Sequence, residues 1–402
     1  MSSSLFSAVE MAPRDPILGL TEAFNNDPRP GKVNLGVGIY YDDHGRIPLL
    51  DAVRRAERAR LEAAPARGYQ PIDGFGGYNQ AVRELVFGPD SPLLAAGRVA
   101  TFEALGGTGA LRIGADFLRR LAPQAGVWIS DPSWENHRAL FEAAGFDVHS
   151  YPYYDPATHG LRLEAMLAAL RALPAGSIVV LHACCHNPTG VDPDGAQWDK
   201  IIATVRAGGL TAFLDLAYQG FATGIEEDAL AVRKFAASGL PFLVSSSFSK
   251  SFSLYGERVG ALSIVTADAD ETARVTSQVK RVIRTNYSNP PTHGGAIVAA
   301  VLSDPGLRAS WESELAGMRE RIRAMRSGLV ERLRANGIEQ DFSFVERQRG
   351  MFSYSGLNPD QVERLRTESA IYAVGTGRIC LAALNSGNLD QVAQAIAAAI
   401  RG

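Results

Sequence analysis

Between about residues 50 and 310, short apolar runs alternate with longer amphipathic segments. The apolar runs are predicted to be buried strands: 127–130, 178–181, 212–216, 243–245 and 261–265. The segments between them are predicted to include helices: 110–121, 134–144 and 197–207. This alternation is typical of an α/β domain with a mainly parallel sheet, which gathers ligands at the carboxyl ends of its strands.

The chain changes in character after residue 304. The segment 306–336 carries many Arg and Glu residues at helical spacings, which predicts a long helix with a solvated face. A smaller α+β unit is predicted to follow it. We therefore expect a large domain over 49–310 and a small domain formed by 1–48 and 311–402.

Composition and charge narrow the possible partners. The chain has 402 residues and a net charge of −3, so no electrostatic feature indicates nucleic acid or an anionic membrane. It has neither a secretory leader pattern nor an uncharged apolar run of about 18 residues. The three cysteines suggest no disulfide framework, and the cluster at 182–186 lacks a second Cys/His pair at metal-ligand spacing. We expect a cytoplasmic protein that needs no metal.

One lysine, Lys250, lies among small hydroxyl residues in the segment 245–260, and Arg258 follows between two glycines. A lysine amine can form a Schiff base with an aldehyde cofactor, while serines and an arginine can bind its phosphate. The same segment could also be a Ser-rich loop with one solvated lysine. Asp215 lies at the end of an apolar run, where it could simply cap the next turn.

The order of five residues resembles the signature of the aspartate/aromatic aminotransferases, class I of the fold-type I enzymes that use pyridoxal phosphate (PLP): Asn187, Asp215, Tyr218, Lys250 and Arg258. The resemblance extends from the motif at 15–20 to Arg378. It implies the fold of a PLP-dependent transferase of fold type I, with a mainly parallel seven-stranded sheet in the large domain and a smaller α+β domain. It also implies transamination by a ping-pong mechanism.

The resemblance assigns a set of residues to cofactor binding: Tyr69, Gly107, Thr108, Trp134, Asn187, Asp215, Tyr218, Ser247, Ser249, Lys250 and Arg258. The glycine-rich turn around Gly107 opens a predicted helix, which is either an anion site or simply a strand-to-helix turn. In the family the residue matching Trp134 stacks on the pyridine ring. Asp215 is expected to hold the pyridine nitrogen of PLP protonated, with His137 behind it.

The catalytic residues are expected to be Lys250, Asp215 and Tyr218. Lys250 would hold the cofactor and then move a proton between the substrate Cα and the cofactor. Tyr218 and Asn187 could both donate to the phenolic oxygen of the cofactor, which would lower the pKa of the Schiff base. Asn187 lies in an Asn-Pro-Thr-Gly string that could also be only a turn.

The resemblance also assigns the substrate-binding residues: Gly38, Trp134, Asn187, Arg284 and Arg378. A planar guanidinium binds a carboxylate through two hydrogen bonds, so Arg378 is expected to clamp the α-carboxylate. Arg284 matches the arginine that binds the distal carboxylate of a dicarboxylate. In the family the residues matching Arg284 and Tyr69 come from the partner subunit, so a homodimer is expected.

Several strings, such as 126–132 and 134–137, are closest to the bacterial aromatic (tyrosine) aminotransferases. Gly106–Gly109 follows the aspartate type instead, and Ala383 replaces a glycine common in the aromatic type. We expect transfer from tyrosine, phenylalanine and aspartate to 2-oxoglutarate, with a dedicated aspartate aminotransferase as the alternative. A PLP-dependent decarboxylase, β-lyase or aldolase, a non-enzymatic binding protein and a nucleotide-binding protein are the other classes considered. The loop at Gly106 lacks the Gly-Lys-Ser/Thr ending of a P-loop.

Overall fold

The computed structural model describes residues 4–12 and 18–402. Asp15, Pro16 and Ile17, with which the matched N-terminal motif begins, lie outside the described residues. So do Met1, Ser2 and Ser3, at the start of the segment searched for a secretory leader.

The described residues form sixteen α-helices: α1 Leu18–Asn26, α2 Asp51–Ala63, α3 Gly76–Phe87, α4 Pro92–Ala95, α5 Gly106–Leu121, α6 Glu135–Ala143, α7 Leu163–Arg171, α8 Gly195–Ala207, α9 Ile225–Asp228, α10 Leu230–Ser238, α11 Ala269–Asn286, α12 His293–Ser303, α13 Pro305–Ala335, α14 Phe344–Arg347, α15 Pro359–Ser369 and α16 Leu389–Arg401. Short 3₁₀ helices occur at Leu5–Ala8 and Leu381–Ala383. None of the helices within the described ranges is long and apolar enough to span a lipid bilayer.

The same residues form thirteen strands: β1 Val33–Asn34, β2 Val99–Leu105, β3 Val127–Asp131, β4 Val148–Pro152, β5 Tyr154–Asp155, β6 Gly160–Leu161, β7 Ile178–His182, β8 Thr211–Leu216, β9 Phe242–Ser247, β10 Val259–Val265, β11 Phe352–Tyr354, β12 Ile371–Tyr372 and β13 Arg378–Cys380. Seven of them form the central sheet in the order β2-β10-β9-β8-β7-β3-β4. β10 runs antiparallel to both neighbours, and the other neighbouring pairs are parallel. This confirms the predicted mainly parallel, seven-stranded sheet.

The central sheet is buried on both faces. Along β7, Val179 and Leu181 belong to one apolar cluster, whereas Ile178 and Val180 belong to a second. Successive strand residues point to opposite faces, so the two clusters lie on the two sides of the sheet. A strand covered on both faces needs a continuous apolar run, which is why periodicity of two is missing from these sequences.

The predicted charged helix is α13, and it passes through position 310/311 without a break. At its start the Leu307 N–H donates to the Asp304 carboxylate at 2.8 Å, and Pro305 occupies the first turn, where no N–H partner is lost. The indole N–H of Trp311 donates to the carbonyl of Ser251 at 2.7 Å. This contact ties α13 to the residue next to Lys250.

Both ends of the chain contribute to small sheets beside the large one. β1 pairs in parallel with β12, with Val33 opposite Ile371, so residues near the two ends form one two-stranded sheet. β11 pairs antiparallel with β13, with Tyr354 opposite Arg378. These pairings bring residues 33–40 and 378 to the edge of the central sheet where its parallel strands end.

Glu103 of β2 is a buried acid that the sequence analysis did not identify. Its side chain is 2% exposed and its Oε2 atom has no hydrogen-bond partner. Gly295 lies so close that a Cβ at that position would be 2.0 Å from Glu103 Oε1. Burial raises the pKa of Glu103 to about 7, although the backbone of Phe75 partly opposes this shift.

Folding stability should therefore fall as the pH rises from about 5 to about 7. The unfolded chain releases this proton near the ordinary glutamate pKa, whereas the folded chain retains it until pH 7. The free energy of unfolding of Glu103→Gln, taken relative to that of wild type, should rise by up to ~3 kcal/mol across this interval, because the variant has no proton to lose. Urea unfolding at pH 5 and at pH 8 measures this change. Glu62→Gln, on the exposed side of α2, is the control and should follow wild type. A pH-independent difference between Glu103→Gln and wild type would contradict the assigned titration.

Candidate active site

A cavity of about 510 Å³ lies at the carboxyl ends of β7, β8 and β9. It is lined by residues from both the central sheet and the segments near the chain ends: Val37, Gly38, Ile39, Gly107, Thr108, Leu111, Trp134, His182, Asn187, Asp215, Ala217, Tyr218, Ser247, Ser249, Lys250, Tyr255, Arg258, Phe352 and Arg378. All of the predicted site residues except Tyr69 and Arg284 are in this set.

Asp215, near the end of β8, is the buried acid of the cavity, with 6% exposure. Its Oδ2 atom lies 3.1 Å from His137 Nε2, and the Ser245 hydroxyl donates to Oδ1 at 2.7 Å. Burial raises the pKa of Asp215, but the hydrogen bonds of His137 and Ser245 outweigh it, and the pKa is lowered. The structure thus favours an ionised carboxylate facing the cavity.

The register of the sheet places two further polar residues beside Asp215. Asp215 is opposite His182 on β7 and opposite Ser245 on β9. Burial holds the pKa of His182 well below its usual value, and His182 Nε2 has no hydrogen-bond partner. A buried neutral imidazole therefore lies at the cavity wall with one ring nitrogen available to a ligand.

Lys250 lies in the turn after β9. Its Nζ atom is 4.9 Å from the centre of the Tyr218 ring. Burial is the main cause that lowers the pKa of Lys250 to about 8; the charge of Asp215 opposes this shift and the charge of Arg258 adds to it. Lys250 consequently has a larger neutral fraction near pH 7 than an ordinary lysine, and the neutral amine is the form that attacks a carbonyl or accepts a proton.

Strand pairing positions Arg258 at the start of a helix. β10 runs antiparallel to β2 with Val259 opposite Leu105, so Arg258 meets Gly106, the first residue of α5. A Cβ on Gly106 would lie 2.7 Å from Arg258 Nη2, and Gly106 has a φ of +69°, which L side chains rarely adopt. Glycine is required here on both counts.

The first turn of α5 and the end of β9 form one polar surface. Gly107 and Thr108 lie in that turn, and a Cβ on Gly107 would be 3.2 Å from the Cβ of Ser247. The Ser247 hydroxyl donates to Ser249 Oγ at 3.2 Å. A helix N-terminus, two serine hydroxyls and the Arg258 guanidinium can together bind a phosphate dianion.

Arg378, at the start of β13, is a buried cation with 1% exposure. Its Nη1 donates to Asn187 Oδ1 at 3.1 Å and its Nη2 to the Gly36 carbonyl at 2.7 Å. The nearest carboxylate oxygen, of Glu135, is 3.9 Å away, and Arg378 Nε has no partner. A buried guanidinium with an unused donor is suited to a carboxylate ligand.

Phe352 was not predicted as a site residue, yet it contacts three that were. The Arg378 guanidinium carbon lies 4.5 Å from the centre of its ring, and the Tyr218 ring centre lies 6.0 Å away, edge-on. A Cβ on Gly38 would be 2.6 Å from the Phe352 ring, so only glycine allows this close approach.

The other residues of the site that were not predicted are Val37, Ile39, Leu111, His182, Ala217, Ser245 and Tyr255. The signal for Ser245 and His182 was their position at the ends of predicted strands, next to Asp215 once the strand order is known. No local motif distinguishes Phe352 or Tyr255.

Tyr69 and Arg284 lie outside the cavity of their own chain. The Tyr69 side chain is 96% exposed, and Arg284, in the last turn of α11, is exposed and contacts Ser288. The two segments are neighbours, because the Asn289 side-chain amide donates to the Gln70 carbonyl at 3.1 Å.

Two groups of potential metal ligands come together in the described part of the chain: His137, His182 and Asp215, and Cys184, Cys185 and Asp228. In the first group Asp215 is already bonded to His137 and Ser245. In the second, Asp228 accepts the backbone N–H groups of residues 220 and 222. The absence of a required metal stays a prediction.

Comparison with known proteins places this geometry in a family. The model of the class I and II aminotransferases matches residues 30–396. The chain belongs to this family. As in the sequence-based expectation, it is therefore an aminotransferase that acts on amino acids and oxo acids.

Relatives of this aminotransferase have two kinds of name. It is 68% identical over 393 residues to the aspartate aminotransferase of Pseudomonas aeruginosa, covering 98% of this chain and 99% of that one. It is 53% identical over 396 residues to the aromatic-amino-acid aminotransferase of Escherichia coli K12, covering 98% and 100%. A solved aromatic-amino-acid aminotransferase from Burkholderia pseudomallei, covalently bound to pyridoxal phosphate, is 69% identical with a TM-score of 0.97, covering 99% and 100%.

Proposed function

We propose that this aminotransferase moves the amino group of tyrosine, phenylalanine and aspartate to 2-oxoglutarate by a ping-pong mechanism, with PLP as the cofactor. The observation that supports this most strongly is Arg378, a buried cation with an unused Nε donor in the same cavity as Lys250 and Asp215. A carboxylate clamp beside a reactive amine suits an α-amino acid.

The residues of the cavity fit PLP. Arg258, Ser247, Ser249 and the first turn of α5 would hold the phosphate, and Lys250 would hold the aldehyde carbon. The ionised Asp215 would face the ring nitrogen, and the unpartnered His182 Nε2 lies along the same wall. Trp134, whose ring meets His137 edge-on at 5.3 Å, would cover one face of the ring. When bound, PLP supplies an aromatic ring that accepts the negative charge developing at the substrate Cα.

Each proposed catalytic residue has a distinct task. The neutral amine of Lys250 removes the proton from the substrate Cα and later delivers it. The Asp215 carboxylate, held by His137 and Ser245, keeps the ring nitrogen protonated. The centre of the Tyr218 ring lies 4.9 Å from Lys250 Nζ, and its hydroxyl would donate to the cofactor.

Substrate orientation depends on the opposite wall. Arg378 and Asn187 would bind the α-carboxylate, and the backbone at Gly38, where a Cβ would collide with the Phe352 ring, would approach the carboxylate side of the substrate. With the α-carboxylate held in this way, the Cα–H bond of the substrate would point toward Lys250. The expected reaction is then removal of the Cα proton, not loss of the carboxylate. A decarboxylase would need the carboxylate free of such a clamp.

The apolar residues that line the cavity favour a substrate with an aromatic side chain. Val37, Ile39 and Phe352 line it, and these apolar groups suit an uncharged ring. A dicarboxylate would need a second cation, which Arg284 of a partner subunit could supply. A dedicated aspartate aminotransferase is the alternative, and the relatives with that name favour it.

A comparison of kcat/KM for aspartate and phenylalanine, each with 2-oxoglutarate, distinguishes the two. We expect values within about tenfold of each other. A ratio far above about 10 in favour of aspartate would establish the dedicated enzyme instead.

We also propose a homodimer with shared active sites. Tyr69 and Arg284 form one exposed patch, joined through Asn289 and Gln70, and neither reaches the cavity of its own chain. In a two-fold interface the same patch is used on both chains, so each chain would complete the site of the other.

Hybrid dimers test this arrangement. Lys250→Ala and Arg284→Gln should each be nearly inactive with aspartate, whereas refolding them together in equal amounts should restore about one quarter of wild-type activity. Half of the dimers would then be hybrids, each with one intact site. Lys250→Ala mixed with Arg378→Ala is the control and should recover nothing, since both residues serve the same chain's site. Recovery in both mixtures, or in neither, would refute the exchange of Arg284.

Two further features are part of the proposal. The large domain over 49–310 and the small domain from 1–48 and 311–402 are supported by the pairing of β1 with β12, and α13 would connect them. A cytoplasmic location is supported by Cys184, Cys185 and Cys380, which are buried free thiols.

A further inference from the structure

A second cavity, of about 480 Å³, lies outside the active site. Its walls are α13, the segment 346–350 and the segment 221–223, which follows Tyr218. Five arginines line it: Arg319, Arg323, Arg326, Arg347 and Arg349. Glu346 is the single acidic residue among the described residues that line it. We refer to it as the arginine cavity.

The positive charge of the arginine cavity is only partly balanced. Arg326 is 2% exposed, and it donates to the carbonyls of Val345, Gly350 and Phe352 at 2.6–2.9 Å, which are neutral acceptors. Burial lowers the pKa of Arg326 to about 10, as expected for a cation without a close carboxylate. The charge of this guanidinium is solvated by dipoles alone.

The arginines of α13 share one carboxylate. Glu320 lies 2.8 Å from Arg323 and 3.9 Å from Arg319. Both arginines also bind the segment that follows β8. Arg319 donates to the Gly220 carbonyl at 2.8 Å, and Arg323 donates to the Ala222 carbonyl at 2.7 Å. Their guanidinium groups are therefore held at the cavity wall.

Two other arginines are held by hydroxyl groups. Arg349 donates to Thr223 Oγ1 at 3.2 Å, and Arg347 to Ser343 Oγ at 2.9 Å. The buried carboxylates nearby, Asp192 and Asp228, accept backbone N–H groups at 2.7–2.9 Å. They reduce the local positive charge without occupying the cavity.

Unused donors provide an independent indication of a ligand. Gln348, 3% exposed, lines the cavity, and its Nε2 has no partner although its Oε1 accepts from Ser353. Arg319 Nε is likewise buried and donates no hydrogen bond, since the Glu320 carboxylate is 3.9 Å away. A buried donor without an acceptor costs roughly 1–3 kcal/mol, so an acceptor supplied from solution would be stabilising.

We propose that the arginine cavity binds a small oxyanion carrying two or more negative charges. Guanidinium groups bind phosphate and carboxylate oxygens through the same paired hydrogen bonds, so both chemical sources satisfy the site. The volume is sufficient for a small metabolite with several such groups. A bound oxyanion would join α13 and the segment 346–350 to the segment 221–223.

Calorimetric titration of the PLP-loaded protein at low salt tests the proposal, with inorganic pyrophosphate and citrate as separate probes. We expect one site per chain for at least one probe. Arg323→Gln/Arg347→Gln should weaken that binding at least about tenfold, since two charge-assisted contacts are lost. Arg332→Gln/Arg366→Gln removes the same charge from two ion-paired arginines outside the cavity and should bind as wild type does.

The outcomes of the titration have distinct meanings. Binding of pyrophosphate alone indicates a phosphate-bearing ligand, and binding of citrate alone indicates a polycarboxylate. No binding of either probe overturns the proposal, as does equal binding by the cavity variant. If the cavity variant does not fold, phenylglyoxal modification of wild type replaces it: the bound probe should protect Arg347 and Arg349 in peptide mass spectra, and lack of protection overturns the proposal. These readouts do not depend on transamination.

Discussion

Lys250→Ala should lower the rate of transamination by at least about 10⁴-fold while the fold is retained. In the proposed function this amine moves the proton at the substrate Cα, and its pKa of about 8 supplies the neutral form. Loss of solvent deuterium exchange at the Cα of bound aspartate would show that proton transfer is the affected step. Steady-state rates with aspartate and with phenylalanine should fall together.

The matched control is Lys234→Ala. Lys234 forms an ion pair with Asp199 at 2.7 Å and does not line the cavity. It should retain nearly full activity. Activity of Lys250→Ala above about 1% of wild type would show that another group moves the proton.

Asp215→Asn should lower kcat by about 10²–10³-fold, a cost typical of losing one preorganised electrostatic contact. Asparagine has nearly the same shape as aspartate, so the change removes only the charge that, in the proposed function, would keep the ring nitrogen of PLP protonated. The hydrogen bonds from His137 and Ser245 lower the pKa of Asp215, which is why the native residue carries that charge at working pH. Stopped-flow measurement of the first half-reaction isolates this step.

Ser245→Ala is a milder change at the same site, for comparison with Asp215→Asn. It removes one hydrogen bond at 2.7 Å from Asp215 and leaves the carboxylate in place. We expect a loss of about tenfold, in line with one buried hydrogen bond. If Ser245→Ala were as damaging as Asp215→Asn, the charge of Asp215 would not be the decisive property.

Secondary structure could be predicted where the chemistry is local. The runs at 178–181 and 212–216 became β7 and β8, and the charged segment 306–336 became α13 within a residue at each end. These elements carry their own signals, because a doubly covered strand needs consecutive apolar residues and a helix needs its caps. The antiparallel β10 has the same apolar composition as its neighbours, so its direction could not be predicted.

Residues that line the cavity could be predicted where they lie in motifs, as Lys250 and Arg258 do. Phe352 could not, because its role depends on three contacts from distant segments: Gly38, Tyr218 and Arg378. The arginine cavity is a similar case. Its arginines lie on α13 and in the segment 346–350, and at the sequence level they are indistinguishable from the solvated face of a charged helix.

The amino-acid sequence by itself predicted five of the seven strands of the central sheet, the long helix α13 and three residues that line the cavity, Gly107, Asp215 and Lys250, since these signals depend on neighbours a few positions away. Tertiary structure alone decided the strand order that sets His182 and Ser245 on either side of Asp215. The structure also places Tyr69 and Arg284 outside their own chain's cavity. The physical reason is that hydrogen-bonded register and long-range packing join residues whose sequence separation carries no periodic signal.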